Sequence, residues 1–444
     1  MSRTIKIKKG LDIPLAGKAA ARIETLSARL AGIVPDDFPG HSWKTAVREG
    51  DPVAPGTPLL YDKQSGLIKI VAPAAGHVAA IRRGQRRKIE AIVIECGDSD
   101  AKASEYNLAM QPDAIRATLL ESGLWALMRQ RPYDIVPLPD SQPRDIYVTG
   151  FDSAPLAPEL IDKADVEAVE RGLEVLRCLS GRTPVVATRE SNPFEFRNAE
   201  NILMQGPHPA GNVGVQIAAT RPVNKGETVW TMNIRTVARI GHLYENAAPD
   251  WKTVVAVTGP AVNAPHMVET LVGVSVAELL DGFTAPGCPG LRVISGNVLT
   301  GWRVSPSDGF LRFPYTQLTV IREGDDADEF MGWASLAPSR FSVKRSFPAF
   351  LRGLTRPFDF DARIKGGHRA MILSGEYDKV FPFDIYPEYL LKAIMAGDID
   401  RMEKLGIYEV APEDFALPEF VDTSKIELQD IVRKGLDKLR QEEE

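Results

Sequence analysis

Residues 203–218 read LMQGPHPAGNVGVQIA and hold the densest glycine and proline punctuation of the chain. Gly206, Gly211 and Gly214 surround His208 and Asn212, just ahead of a short apolar run. Loops of this kind bring backbone N–H groups close to an anionic or planar ligand, because glycine has no Cβ to obstruct the approach. His208, between Pro207 and Pro209, offers a hydrogen bond to a ligand carbonyl or a partner, or fixes its own turn. The loop matches neither G-x-x-x-x-G-K-[ST] nor G-x-G-x-x-G, and no acidic residue stands where a ribose hydroxyl would need one. Nucleotide binding is therefore poorly supported.

A second candidate is Lys63. The segment VREGDPVAPGTPLLYDK (47–63) resembles the hairpin rhythm of lipoyl and biotinyl carrier modules, and APAAGHV (72–78) continues it. Gly50 and Gly56 are expected at tight turns, with Val47, Val53 and Leu59 alternating inward. A carrier holds its cofactor on a hairpin-tip lysine, near where Lys63 stands. Against modification, the stretch to Pro73 is long for such a hairpin and Lys63 lacks flanking methionines. Gly66 is placed to make the turn, leaving Lys63 solvated.

Other chemistries lack their residues. His41, His77, His242, His266 and His368 are scattered without H-x-x-x-H or H-E-x-x-H, so no metal site is proposed. ISGNV and LSGRT fail the G-x-S-x-G elbow, which argues against a hydrolase. Cys96, Cys178 and Cys288 form no C-x-x-C, which argues against a zinc or iron–sulfur site and fits a reducing cytoplasm.

These candidates need a scaffold. At 444 residues, two to four domains are expected. The opening hundred residues show short β-branched runs cut by Gly, Pro and Asp, the pattern of a small barrel or sandwich. From Ala114 to Arg129, Ile115, Leu119, Leu120, Leu124 and Leu127 recur at helical spacing. RDIYVTGFDS, a helix with Val166, Val169, Leu173 and Leu176 on one face and Gly181 as its stop, and TPVVATRE then spell a βαβ unit. Residues 252–283 read strand, turn, strand, and a helix capped by Ser275, a β-grasp-like arrangement. PEYLLKAIMAGDIDRMEKLG and SKIELQDIVRKGLDKLRQEEE read as amphipathic helices. The expected fold class is α+β multidomain. It comprises a barrel-sandwich-hybrid-like β domain (1–105), an α/β Rossmann-like middle domain (106–250), a β-grasp-like domain (251–325) and a mixed, helical C-terminal region (326–444).

The net charge of −6, with mixed signs along the chain, argues against a nucleic-acid partner. No apolar run reaches eighteen residues, so no transmembrane segment is expected. The basic N-terminus lacks the apolar stretch of a secretory signal.

In order, IKIKKGLDIPLAG, VREGD, APAAGHV, LLESGLWALMRQRPYDIVP, GPHPAGNVG, TVWTMNIRTVARIGHLY, RVISGNVLTG and GGHRAMILSGEYDKVFPFDIYP resemble the A subunit of the sodium-pumping NADH:quinone oxidoreductase, nearly end to end. That resemblance implies a peripheral subunit on the cytoplasmic face of the bacterial inner membrane, in a six-subunit respiratory complex. The complex passes electrons from NADH to ubiquinone and exports Na+. The chain would lie against the membrane-embedded B subunit at the quinone-reducing end, with NADH, flavins and an iron–sulfur cluster on its partners and no covalent cofactor of its own. The fold would be related to the NADH-binding flavoprotein subunit of complex I and to the Rnf C subunit. Gly206, His208, Gly211, Asn212 and Gly214 are then the expected quinone-contacting residues. The paired cysteines that family members often carry near the C-terminus are replaced by LPEFVDTSK, with Pro418 and Asp422 in their place. Two other readings stand beside this one: a carrier modified at Lys63, and a flavin- or NADH-binding dehydrogenase subunit.

Overall fold

The computed structural model describes residues 3–161, 165–282, 290–325, 341–343 and 356–443. Cys288 and most of 326–355 lie outside them. The opening segment does not stay in one unit. Strand β1 (Arg3–Lys6) and strand β2 (Ile23–Thr25) join the edges of two later sheets, and the N-terminal β module starts only afterwards. IKIKKG was expected inside that module. Instead β1 runs parallel to a strand of the middle sheet, because its exposed edge offers unpaired N–H and C=O groups.

The N-terminal module packs two antiparallel sheets. One contains β3 (Leu30–Ile33), β5 (Pro52–Val53), β8 (Gly76–Arg83) and β9 (Ile89–Cys96); the other β4 (Trp43–Thr45), β6 (Pro58–Asp62) and β7 (Lys69–Val71). Val53 and Leu59 are fully buried and Val47 packs at the core margin. Gly50 and Gly56 turn at φ +87° and +89°, a region that glycine enters without strain. Lys63 stands exposed on the turn between β6 and β7, and its N–H donates to Ser42 O at 2.7 Å.

Helix α1 (Pro112–Glu121) is shorter than its apolar spacing predicts. Gly123 at φ +77° ends the helical path, and Trp125–Leu127 continue as a tight 3-10 turn. All five spaced apolar residues are buried nonetheless.

The middle sheet holds β10 (Arg129–Arg131), β11 (Asp145–Thr149), β12 (Val185–Arg189), β13 (Glu200–Gln205) and β14 (Val229–Asn233), in the order β1-β13-β12-β11-β14-β10. All neighbours are parallel except the β10 edge. Alternate residues face opposite sides. Ile146, Val148, Val186, Trp230 and Met232 share one core with α2 (Val166–Ser180) and α4 (Ile234–Asn246). Tyr147, Val185, Ala187 and Val229 share another with α3 (Val213–Ala218) and the C-terminal helices.

The third sheet, in the order β18-β17-β19-β15-β16-β2, contains β15 (Lys252–Thr258), β16 (His266–Leu271), β17 (Leu291–Ser295), β18 (Trp302–Val304) and β19 (Gln317–Arg322). Ser275 occupies the cap position of α5 (Val276–Leu280), but its side chain makes no capping hydrogen bond. The segment expected as one helix near the C-terminus is two. α6 (Pro387–Ala396) ends at Gly397, and the Asp398 side chain starts α7 (Ile399–Lys404) by accepting Arg401 N–H at 3.1 Å. Helices α8 (Ala416–Val421) and α9 (Leu428–Glu443) complete the second face of the middle sheet. Asp422, where paired thiols were sought, is buried and accepts the Tyr377 hydroxyl at 2.8 Å and Ile426 N–H at 2.9 Å. No described helix is long and apolar enough to cross a membrane.

Three units meet at Asp37. Its carboxylate accepts Arg312 Nε–H at 2.6 Å and Phe313 N–H at 3.0 Å from the third unit. Its carbonyl accepts Arg129 Nη2–H at 2.6 Å from the middle unit. Burial raises the Asp37 pKa to about 6, against the opposing pull of Arg312.

Helices α2 and α4 approach through reciprocal glycines. A Cβ on Gly172 would strike Val237 O, and one on Gly241 would strike Ala168 O. Alanine at Gly241 gains up to about 1 kcal/mol of helix propensity, but overpacking against backbone costs about 1–3 kcal/mol. Gly241→Ala is therefore expected to lower unfolding stability, by about 1–2 kcal/mol in denaturant titration. An unchanged or raised midpoint contradicts the packing argument.

Candidate functional site

The loop after β13 folds back across the carboxyl ends of β12 and β11, the edge where parallel sheets present their ligand crevices. Hydrogen bonds hold it there. Thr149 Oγ1–H donates to Gly211 O at 3.0 Å, and Gln216 Nε2–H reaches the same carbonyl at 3.2 Å. Ser153, four residues beyond the end of β11, accepts Gly211 N–H on Oγ at 2.8 Å.

His208 is 3% exposed. Its backbone N–H donates to Asp12 Oδ1 at 2.9 Å, and its carbonyl accepts Leu11 N–H at 2.8 Å. The stretch following β1 thus clamps the histidine backbone from both sides. The ring Nδ1 lies 3.0 Å from Ser153 Oγ. That oxygen accepts Gly211 N–H on one lone pair and can donate its own proton to Nδ1. With Ser153 as donor to Nδ1, the neutral ring carries its proton on Nε2. Burial depresses the His208 pKa to about 4, so the ring is neutral at pH 7.

The glycines are set by close approach. A Cβ on Gly211 would lie 2.6 Å from Ser153 N, and one on Gly214 would lie 2.6 Å from Asp414 Oδ1. On Gly206, at φ +142°, it would strike Ile7 O. Asn212 is the first residue before α3 and makes no side-chain cap. Beneath Gly214, Asp414 and Glu413 pair with Arg131 at 3.3 and 2.7 Å. Burial holds Asp414 above the ordinary carboxylate range, against the pull of Arg131 and Ala411 N–H.

All five residues expected at the site come together in this loop. The residues that seat them were not singled out in the sequence: Asp12, Thr149, Ser153, Gln216 and Asp414. The usable signal was positional, since GFDS follows the first strand of a βαβ unit. Of the other histidines, His41 is buried between Val136 O at 3.0 Å and Asp62 at 3.3 Å, and His266 is buried beside Ala264 O. His242 lies between Asp165 and Glu245. Cys96 and Cys178 are unpaired thiols, partly buried. No group of three or more metal-ligating side chains occurs among the described residues.

A histidine whose pKa is about 4 when folded and about 6.5 when unfolded binds fewer protons in the native state between those values. Stability is then complete above pH 6.5 and falls as pH drops toward 4. His208→Gln is expected to flatten that part of the stability–pH curve relative to wild type. Parallel curves for the two proteins contradict the burial argument.

Three family models match: the NqrA N-terminal barrel-sandwich hybrid domain over residues 5–97, the NqrA second alpha/beta domain over 110–248, and the NQRA C-terminal domain over 254–305. The A subunit of the Na(+)-translocating NADH-quinone reductase of Vibrio anguillarum is 36% identical over 448 residues, covering 99% of this chain and 100% of that protein. Its counterpart from Serratia proteamaculans (strain 568) is 36% identical over 452 residues, with coverage of 99% and 100%. Among solved structures, the NAD+-reducing NiFe hydrogenase in the air-oxidized state matches with a TM-score of 0.38 and 13% identity, over 76% of this chain and 62% of that one. The barrel-sandwich module, the doubly wound sheet at whose carboxyl edge His208 is clamped, and identity along the whole length agree: the chain belongs to the family of Na+-translocating NADH-quinone reductase A subunits.

Proposed function

We propose that the chain is the peripheral, cytoplasmic-side subunit of a respiratory Na+-pumping NADH:ubiquinone reductase, docked on the membrane-embedded B subunit at the quinone-reducing end. In this reading NADH, flavins and the iron–sulfur cluster belong to the partner proteins of the complex, and this chain carries no covalent cofactor. The membership of the chain and the absence of a spanning helix among its described residues support the reading.

One observation carries the quinone assignment: the Gly211–Ser153–His208 chain leaves a neutral Nε2–H donor in a loop at the carboxyl edge of the sheet. A quinone has two carbonyl acceptors on an apolar ring, so it needs one or two donors in low-polarity surroundings. A neutral donor suits it. It binds the oxidised ring without a charge to desolvate, and the same bond strengthens as negative charge builds on the oxygen during reduction. Gly206, Gly211 and Gly214 let the loop pack closely on Ile7, Ser153 and Asp414, which holds His208 in place, and Asn212 stands in the same loop.

The test uses the assembled complex with His208→Leu in this chain, which removes the ring donor without adding another. Loss of one neutral hydrogen bond is worth about 1 kcal/mol, so KM for ubiquinone should rise about fivefold. NADH oxidation by an artificial acceptor, upstream of quinone, should stay unchanged. Unaltered ubiquinone kinetics in a fully assembled variant would remove His208 from the quinone site, and failure of the wild-type chain to co-purify with membrane proteins of the complex would remove the docking assignment.

A further inference from the structure

Topology singles out a second place on the same edge of the sheet. Strands β12 and β13 lie to one side of β11 and β14 to the other, so the direction of winding switches between β11 and β14. Crevices outside the carboxyl ends of strands form at such switch points. There the chain leaves β14 at Asn233 and enters α4 at once. The helix is 13 residues long, and Asn233 Oδ1 caps it by accepting Thr236 N–H at 2.9 Å. Its N-terminus carries the positive end of the helix dipole.

A cavity of about 20 Å³ opens at this point, between the first turns of α4 and the third unit. Arg235, Arg239 and Arg312 line it together with Asn233, Thr253 and Tyr315, and its described lining includes no Asp or Glu. Arg239 and Arg312 are held differently, and only the second leaves a buried donor unmet. Arg239 is 7% exposed and donates to backbone carbonyls, Asp250 O at 3.1 Å and Lys252 O at 3.2 Å. Burial, then the neighbouring Arg235 charge, depress its pKa to about 10, so it is still charged at pH 7. Arg312 gives Nε–H to Asp37 at 2.6 Å and lies 4.3 Å from the Trp302 ring centroid. Its Nη2 is buried and has no hydrogen-bond partner.

Asp37 therefore offsets the charge of Arg312 but leaves Nη2 unmet, and Arg239 hydrogen-bonds backbone carbonyls, with Asp250 and Asp165 only partly opposing its burial. Burying positive charge and an unmet N–H donor beside a helix N-terminus is costly unless an anion completes them. We infer that this cavity binds a small inorganic anion, a halide or a single oxyanion, held by Arg312 Nη2 and the N-terminus of α4 in the positive field of Arg239. Size decides the class. One water occupies at least about 10–15 Å³ on the same scale, so the space admits an ion but neither a nucleotide nor a quinone ring. The anion would tie the third unit to the middle one, since its ligands come from both.

Thermal unfolding of the full chain tests this at a fixed ionic strength of about 0.15 M, with gluconate, too bulky for the cavity, replaced stepwise by chloride or phosphate. A saturating rise in Tm of about 1–3 °C is expected with at least one of the two. It should vanish in Arg312→Lys, which keeps a positive charge for Asp37 but has no Nη2. An equal response in wild type and variant would be a general salt effect and would overturn the site, as would no response in either salt. Chloride-35 NMR gives a readout that does not depend on the variant folding. Excess line broadening on wild-type protein, removed by competing phosphate, is expected if chloride is held. An NMR line indistinguishable from free chloride, together with no phosphate-dependent rise in Tm, would leave only water in the cavity and overturn the inference.

Discussion

A parallel sheet cannot leave a face in water, because its strands are apolar on both sides, and this requirement organises the whole chain. Tyr147 and Val185 point away from Ile146 and Val186, so two separate cores must form. Helices α2 and α4 supply one, close enough that glycine is needed at both crossings. The short α3 cannot supply the other alone, and α6, α8 and α9 close it from almost two hundred residues downstream in the sequence. With both faces covered, the carboxyl edge is where loops are free to meet ligands. His208 and the arginine-lined cavity both lie there.

Asp37 does for the arrangement of units what the sheet does within one of them. A single residue gives its carboxylate to the third unit and its carbonyl to the middle one. Phe38 stacks on Phe313 at 5.6 Å beside it, so apolar contact shields the ion pair from solvent. The same Arg312 that closes this junction also lines the cavity. Fixing the units relative to one another and placing positive charge at the end of α4 are thus two consequences of one side chain. That coupling connects the geometry of the interface with whatever occupies the cavity.

Much of the local structure was legible. The spacing of Val169, Leu173 and Leu176 with Gly181 beyond them gave α2, and TPVVATRE gave the parallel partner of β11. Gly50 and Gly56 stand at the turns their spacing indicated. The misses have common causes. Gly123 stopped α1 early although the apolar spacing ran on, and Gly397 with Asp398 divided a helix whose periodicity looked continuous. Each time a local backbone preference won over the apolar pattern. The placement of β1 was out of reach for a different reason: its partner is β13, about two hundred residues away, and an edge strand's choice of sheet leaves no mark in its own residues.

By itself the sequence determined most of the strands and helices and where glycine and proline crowd the Gly206–Gly214 loop, and it offered no metal or cysteine motif. These follow from side-chain type and spacing within a few residues, where backbone sterics and hydrophobic periodicity act. Only the tertiary structure decided that Asp12 and Ser153 seat His208, that Asp414 lies under Gly214, and that three arginines share a cavity. Residues so far apart in the chain come together because burial of both sheet faces leaves a single way to close the cores, and burial in turn sets the charge state of His208 and Asp37.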